Sequence, residues 1–431
     1  MNERAESSNI SPETMAVLMA SAFTVSMGFG VVLPLLPFLI ERLLGGGAEA
    51  GQISRATGLL TGLYMLSLFL FAPMWGRLSD RYGRRVVLLI GLIGFGATML
   101  VFAFVESLVA VYAERVLSGL FAAAVTPVAL AAVGDLAATE EARARRLTFV
   151  SLAGISGFLL GPMLGVFIAR AGADMVATAD PMASLTFPLA ATAVLAFAIA
   201  GAAVFALPRT RSQGRLATLD ATVSPTSRWL IPNLLILGFI VAAGVGVFEV
   251  GLALRGKQEL GMTPTQIALM FTECSLVMLV VQALVFSPWV KPSTTRWLIA
   301  PALAVLGIGL FLLPRATDFN LMLAVIGAVA ASAGILAPIL TYWTSSKAGE
   351  AQGAQLGKQT AAASLGAAVG SAAGGLLYDV AWLPDASFLV MAAVTVFGVV
   401  LSLGLPRMLG RRRPGCASPG ELNQRRRRSL K

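Results

Sequence analysis

Histidine is absent from this chain, so no imidazole is available as a proton carrier or a metal ligand. Only two cysteines occur, Cys274 in an apolar stretch and Cys416 in a basic C-terminal segment. Two such positions build neither a disulfide framework nor a zinc site. Charge is scarce as well, with Asp, Glu, Lys and Arg making up 13% of the 431 residues. A soluble domain carries roughly 25% to cover its surface. Apolar residues fill the chain instead, at 57%, and the mean hydropathy is +0.81.

These apolar residues fall in recurrent runs of about 20, each long enough to cross a ~30 Å hydrocarbon layer as a helix. Short spans must be helical, because lipid offers no partner to an unpaired backbone group. The sequence therefore predicts an all-α integral membrane protein with about twelve spans. They fall near 14–40, 57–75, 86–105, 108–133, 147–169, 185–207, 230–254, 266–288, 297–313, 320–343, 357–378 and 385–406. The first run is too long for a signal-peptide core and lacks a small-residue cleavage site, so it is expected to stay as a helix. The longest polar interruption, Pro208 to Arg228, divides the spans six and six. The expected organisation is an N-terminus over 1–13, a six-helix half over 14–207, a linker over 208–229, a second half over 230–406 and a basic tail over 407–431.

The net charge of +10 would suggest a nucleic-acid partner in a soluble protein. Placing the N-terminus in the cytoplasm gives another explanation. Twenty-five of the 32 Lys and Arg then lie on the cytoplasmic side; Arg42, Arg55, Arg170, Arg255, Lys257 and Arg315 lie opposite, and Arg115 lies inside a span. The positive-inside rule selects this orientation, with both termini cytoplasmic. No nucleic-acid partner is implied. The tail, with Arg411 to Arg413 and Arg425 to Arg428, is expected to meet anionic lipid.

The halves read as repeats. Gly28, Gly30 and Gly45 recur as Gly244, Gly246 and Gly261 at an offset of 216, and Gly157, Gly161 and Gly165 recur as Gly366, Gly370 and Gly374 at an offset of 209. Gln52-Ile53 ahead of span 2 finds Gln266-Ile267 ahead of span 8. Duplicated halves around a central cavity are a recurring transporter design.

Between spans 2 and 3 the chain reads Gly76-Arg77-Leu78-Ser79-Asp80-Arg81-Tyr82-Gly83-Arg84-Arg85, followed by Leu88. Gly76 and Gly83 are expected to permit a tight turn and close helix approach. Asp80 can accept charge-assisted hydrogen bonds from Arg84 or from a neighbouring helix end. The segment resembles the signature loop of the major facilitator superfamily at every defined position, and sits where that family has it. The resemblance implies a twelve-helix fold of two pseudo-repeat halves. It also implies a cytoplasmic latching role for Gly76, Asp80, Arg81, Gly83, Arg84 and Arg85.

Span 4 carries Arg115-Val-Leu-Ser-Gly119, which resembles the family's span-4 motif, whose Arg is associated with proton coupling. An Arg at this depth, ~10 Å from the helix start, must snorkel outward or pair. Glu114 is adjacent but about 100° away around the helix, which does not mark it as a partner. Span 5 carries Gly157, Gly161, Pro162 and Gly165, with small residues every fourth position for close packing and a proline that bends the helix. It resembles the element typical of the family's antiporters, which mostly export drugs, except that Val166 stands where the last glycine would be. Glu249 and Glu273 lie inside spans 7 and 8. With histidine absent, they are the candidate proton carriers or substrate contacts, modulated by Arg115 or Glu114, and a structural role, pairing with Arg255 or capping a helix N-terminus, is their alternative.

Met270, Cys274 and Met278 share one face of span 8 and are read as adaptable packing rather than a metal site. Gly357-Lys358-Gln359-Thr360 lacks the spacing and the preceding strand of a phosphate loop. No catalytic constellation, metal or cofactor is expected. The resemblance implies proton-coupled efflux of a small amphiphilic organic compound by alternating access, in a monomer of the inner membrane. Uptake or metal-complex transport on the same fold, and a membrane sensor or assembly partner acting through the tail, are the alternatives.

Overall fold

A computed structural model describes residues 11–45, 47–136, 140–176, 183–208, 227–285, 292–316, 319–348, 352–380, 383 and 385–410. The predicted linker and basic tail lie largely outside these residues. The first half holds α1 (Pro12–Leu44), α2 (Ala50–Tyr82), α3 (Arg84–Phe102), α4 (Leu108–Leu136), α5 (Glu140–Val176) and α6 (Ala183–Ala206). The second holds α7 (Ser227–Gln258), α8 (Pro264–Val285), α9 (Ile299–Leu312), α10 (Phe319–Ala348), α11 (Gln352–Leu376) and α12 (Ala386–Ser402). A 3₁₀ turn over Pro292–Trp297 precedes α9, and a short α13 (Leu405–Gly410) follows α12. The described chain has no strand.

Local chemistry sets several helix ends. Ser11 accepts a hydrogen bond from the Thr14 amide at 3.1 Å, and Pro12 follows in the first turn, where its missing N–H costs nothing. Gly45 ends α1 at φ 85°, and its repeat equivalent Gly261 follows α7 at φ 59°. Long helices extend beyond the predicted spans; α2 continues through Tyr82 and α5 begins at Glu140.

Among the described residues, ten helices are long and apolar enough to cross a membrane by length and composition. α12 is apolar but only 17 residues long. α11 falls outside the set because its first half is rich in Gln, Gly and Ala, with Lys358 among them. Its place in the bundle is nevertheless that of a spanning helix, packed between α7 and α2.

The two halves repeat their packing. α1 rests on α5 and α6, α4 on α2 and α3, and α3 on α6; each contact recurs six helices later, as α7 on α11 and α12, α10 on α8 and α9, and α9 on α12. The glycines explain the register. A Cβ at Gly157 would meet the Phe23 carbonyl oxygen at 2.2 Å, and one at Gly366 would meet that of Phe239 at 2.3 Å. Gly161 faces Met27 and Gly370 faces Ala243 in the same way. Phe23 and Met27 lie 216 residues before Phe239 and Ala243, so the sequence offset is also the packing offset. Between the halves the main seams are α2 on α11 and α5 on α8, themselves related by the repeat. At the first, a Cβ on Gly58 would lie 2.6 Å from the Gly375 Cα, so only two glycines allow this approach.

Candidate transport site

The Gly76–Arg85 segment is more helical than expected. Gly76 sits inside α2, where a Cβ would meet nothing within 4 Å, so close approach does not require glycine there. Gly83 alone makes the turn, at φ 96°, between the end of α2 and the start of α3. Arg84 is the hub of the segment. Its guanidinium lies 2.6 Å from Asp80 and 2.8 Å from Asp135 at the end of α4, and reaches the Ser79 hydroxyl at 2.5 Å. Arg85 donates to the Leu207 carbonyl at 3.2 Å and to that of Val204, closing the end of α6. Arg81 is exposed and stands over the Tyr82 ring, 5.4 Å from its centroid.

Toward the opposite end of the first half, Arg115 neither snorkels nor stands alone. Its Nε donates to Glu114 Oε2 at 2.6 Å and its Nη2 to Oε1 at 2.8 Å, with both side chains 2% exposed. This overturns the expectation drawn from their 100° separation. That angle relates Cβ directions, whereas two long side chains fold back over the helix surface and meet beyond it. Phe102 covers the guanidinium at 4.4 Å, and Tyr64 lies at 5.6 Å. Tyr64 stacks on Phe29 at 5.3 Å, and Phe29 on Phe158 at 5.8 Å, so α1, α2 and α5 contribute one aromatic group beside the ion pair. The aromatic partners were not legible in sequence, because they come from four other helices. The span-5 glycines Gly157, Gly161 and Gly165 face α1, and Pro162 lies against Gly30.

In the second half, Gly244 meets α9 and Gly251 meets α12, while Gly246 meets α11. Glu249 projects away from α9 and α12, on the helix face of Gly256, which meets Ile267 of α8. Glu273 Oε1 faces Gly327 of α10, and its Oε2 is buried without a hydrogen-bond partner. Cys274 lies within electrostatic reach of both carboxylates and is buried with Met270. Glu249 and Glu273 thus lie on adjacent helices with Cys274 within electrostatic reach of each, and neither enters an ion pair among the described residues. Arg255, the alternative partner, is committed to Glu259 at 2.5 Å and to the Ala316 carbonyl at 3.2 Å. Tyr378 donates to the other Glu259 oxygen at 2.6 Å. Burial, then this hydrogen bond, pushes the Tyr378 phenol far above its ordinary range. Asp385, at φ 60° ahead of α12, is raised by burial and then by the charge of Glu259.

Five polar contacts join the halves at the end opposite the Gly76–Arg85 segment. Lys257 pairs with Glu41 at 2.7 Å and donates to the Pro37 carbonyl at 2.7 Å. Gln258 donates to the Ala50 carbonyl at 3.1 Å and accepts from Ser54 at 3.2 Å. Arg170 of α5 reaches Thr265 of α8 at 3.4 Å. At the segment end, Asp80, Arg84 and Arg85 bind only their own half. Among the described residues no three His, Cys, Asp or Glu side chains converge as a metal site.

Comparison with known proteins accords with this architecture. Multidrug resistance protein 2 of Bacillus subtilis is 27% identical over 376 residues, covering 84% of this chain and 88% of that protein. Quinolone resistance protein NorA of Staphylococcus aureus is 26% identical over 388 residues, covering 90% and 95%. Two solved structures share the fold. The D-xylose–proton symporter superposes with a TM-score of 0.72 at 15% identity, covering 91% of this chain and 97% of its own. The human organic anion transporter MFSD10 (TETRAN) gives 0.66 at 21%, covering 91% and 100%. The Major Facilitator Superfamily profile matches residues 18–252 and 234–417. This multi-pass membrane protein belongs to the Major Facilitator Superfamily.

Proposed function

We propose that the chain is a secondary transporter of the inner membrane, with cytoplasmic termini, that exports a small amphiphilic organic compound in exchange for protons. The observation that carries this reading is the pair of carboxylates Glu249 and Glu273. Arg115, Arg255 and Lys257 are each committed to another acid, which leaves these two free to exchange a proton or meet a cargo. The aromatic group of Phe29, Tyr64 and Phe158 offers apolar surface suited to an amphiphile. The names of the bacterial relatives, multidrug and quinolone resistance proteins, support export of such compounds. Polar contacts that join the halves at the end opposite the Gly76–Arg85 segment suit a state of an alternating-access cycle. In the same reading Asp80, Arg84 and Asp135 form the cytoplasmic latch, and the protein works as a monomer.

Flux of a fluorescent amphiphile into proteoliposomes under an imposed pH gradient tests this. Glu249→Gln or Glu273→Gln is expected to abolish the pH-driven component while binding persists. Unchanged pH-driven flux in both variants would remove them as carriers. Flux in the opposite sense under the same gradient would favour uptake.

A further inference from the structure

The two halves treat their basic residues at the Gly76–Arg85 end differently. In the first half, Arg84 and Arg85 are held by carboxylates and helix-end carbonyls. In the second, the same end carries the Pro292–Trp297 turn and α13, which pack against each other, and α13 also packs against α7. Leu405 and Leu409 are buried one helical turn apart, and Arg407 is exposed between them. The Trp343 indole donates to Thr295 at 3.1 Å and pins the turn to α10. Arg296 stands over the Trp297 ring at 5.7 Å, with its Nε buried and unpartnered. Neither Arg296 nor Arg407 enters an ion pair among the described residues. The described segments of this end, 227–235, 292–297, 340–348, 352–358 and 405–410, contain no Asp or Glu; Glu350 lies outside the described residues. Trp297 and Trp229 are 58% and 74% exposed.

We propose that this end of the second half binds the headgroup of an anionic phospholipid, with Arg296 and Arg407 contacting its phosphate. None of the described residues here supplies a counter-charge, which leaves both guanidinium groups open to an anion from outside. A guanidinium matches phosphate geometry in a bidentate manner. Tryptophans at helix ends settle at headgroup depth, which places Trp229 and Trp297 beside that phosphate rather than in water. The bilayer is therefore the source of the anion. This site lies on the folded body, apart from the basic tail, and holds whichever cargo is carried and in whichever direction.

The test uses full-length protein in nanodiscs containing brominated phosphatidylglycerol or brominated phosphatidylcholine. The Trp297 signal is taken as the difference from a Trp297→Phe variant. Phosphatidylglycerol is expected to quench at a several-fold lower mole fraction. Arg296→Gln and Arg407→Gln should each reduce that preference about fivefold, and Arg315→Gln at the opposite end should not. Arg296→Lys and Arg407→Lys, which keep the charge, should retain most of it, separating charge loss from misfolding. Equal quenching by the two lipids would overturn the proposal. So would relief of quenching by millimolar inorganic phosphate, which would reassign the site to a soluble phosphate compound.

Discussion

Glu41 of α1 and Lys257 of α7 stand 216 residues apart, at equivalent positions of the two repeats, and meet across the seam at 2.7 Å. Duplication has thus placed opposite charges on one position of two related helices, where the pseudo-twofold brings them together. Glu41 is half-exposed, so solvent screens the pair and holds its worth to about 0.5–1 kcal/mol. Glu41→Lys is expected to open this end, shifting the ratio of closed to open protein roughly two- to fivefold. Restoration by Glu41→Lys combined with Lys257→Glu would identify the pair as the cause. Pulsed EPR distances between labels at Glu49 and Leu260 report the shift.

Gly58 and Gly375 predict a larger effect nearby. A methyl at Gly58 meets Gly375 Cα and N at 2.6 Å and the Ser371 carbonyl at 2.7 Å, all backbone atoms that cannot rotate away. Gly58→Ala is expected to force α2 and α11 apart, at a cost of about 1–3 kcal/mol, and to cut transport at least tenfold. Gly201→Ala, where a Cβ meets nothing within 4 Å, is the control expected to leave thermal stability and flux unchanged.

The Glu114–Arg115 pair calls for a double-mutant cycle. Removing either partner strands a buried charge, so Glu114→Gln and Arg115→Gln should each destabilise by about 3–5 kcal/mol. The double variant should lose clearly less than the sum of the two. Thermal unfolding in detergent measures all four corners, and simple additivity would mean that the two side chains do not depend on each other.

Asp385 yields a pH dependence. Its pKa is raised in the folded protein, so its ionised form opposes folding. That opposition is full above the raised folded pKa, fades as pH falls through it, and vanishes once pH lies below the unfolded value. Asp385→Asn should therefore raise the unfolding midpoint at pH 8 and leave it unchanged in strong acid. Asparagine also tolerates the left-handed backbone at φ 60°, so the substitution adds no strain there.

Much of this molecule is legible in its sequence, for identifiable reasons. Spans announce themselves because lipid demands continuous apolar helices, and the 216 and 209 offsets of glycine carry through to the packing of α1 on α5 and α7 on α11. The candidate carboxylates are legible because an acid inside a span is rare. Four features escaped. The Glu114–Arg115 pair is hidden because helix angles describe where side chains leave the backbone, not where long ones end. The aromatic cover of Arg115 comes from α2 and α3, and the Tyr378–Glu259–Arg255 chain joins α7 to the segment after α11, so both need the tertiary fold. The Glu41–Lys257 contact was written in the repeat offset but has no local signature. Gly76 shows the reverse error, since its motif position suggested a turn that Gly83 makes alone.

α11 carries a consequence for how the protein is made. Polar at its start and lined with small residues where it meets α7 and Gly58, it has little greasy surface with which to enter a bilayer by itself. Its hydrogen-bonded backbone is sheltered by neighbours synthesised long before it. Biogenesis must therefore hold α7 and α2 in readiness until the eleventh helix emerges from the ribosome, and the last steps of insertion are also the steps that join the halves.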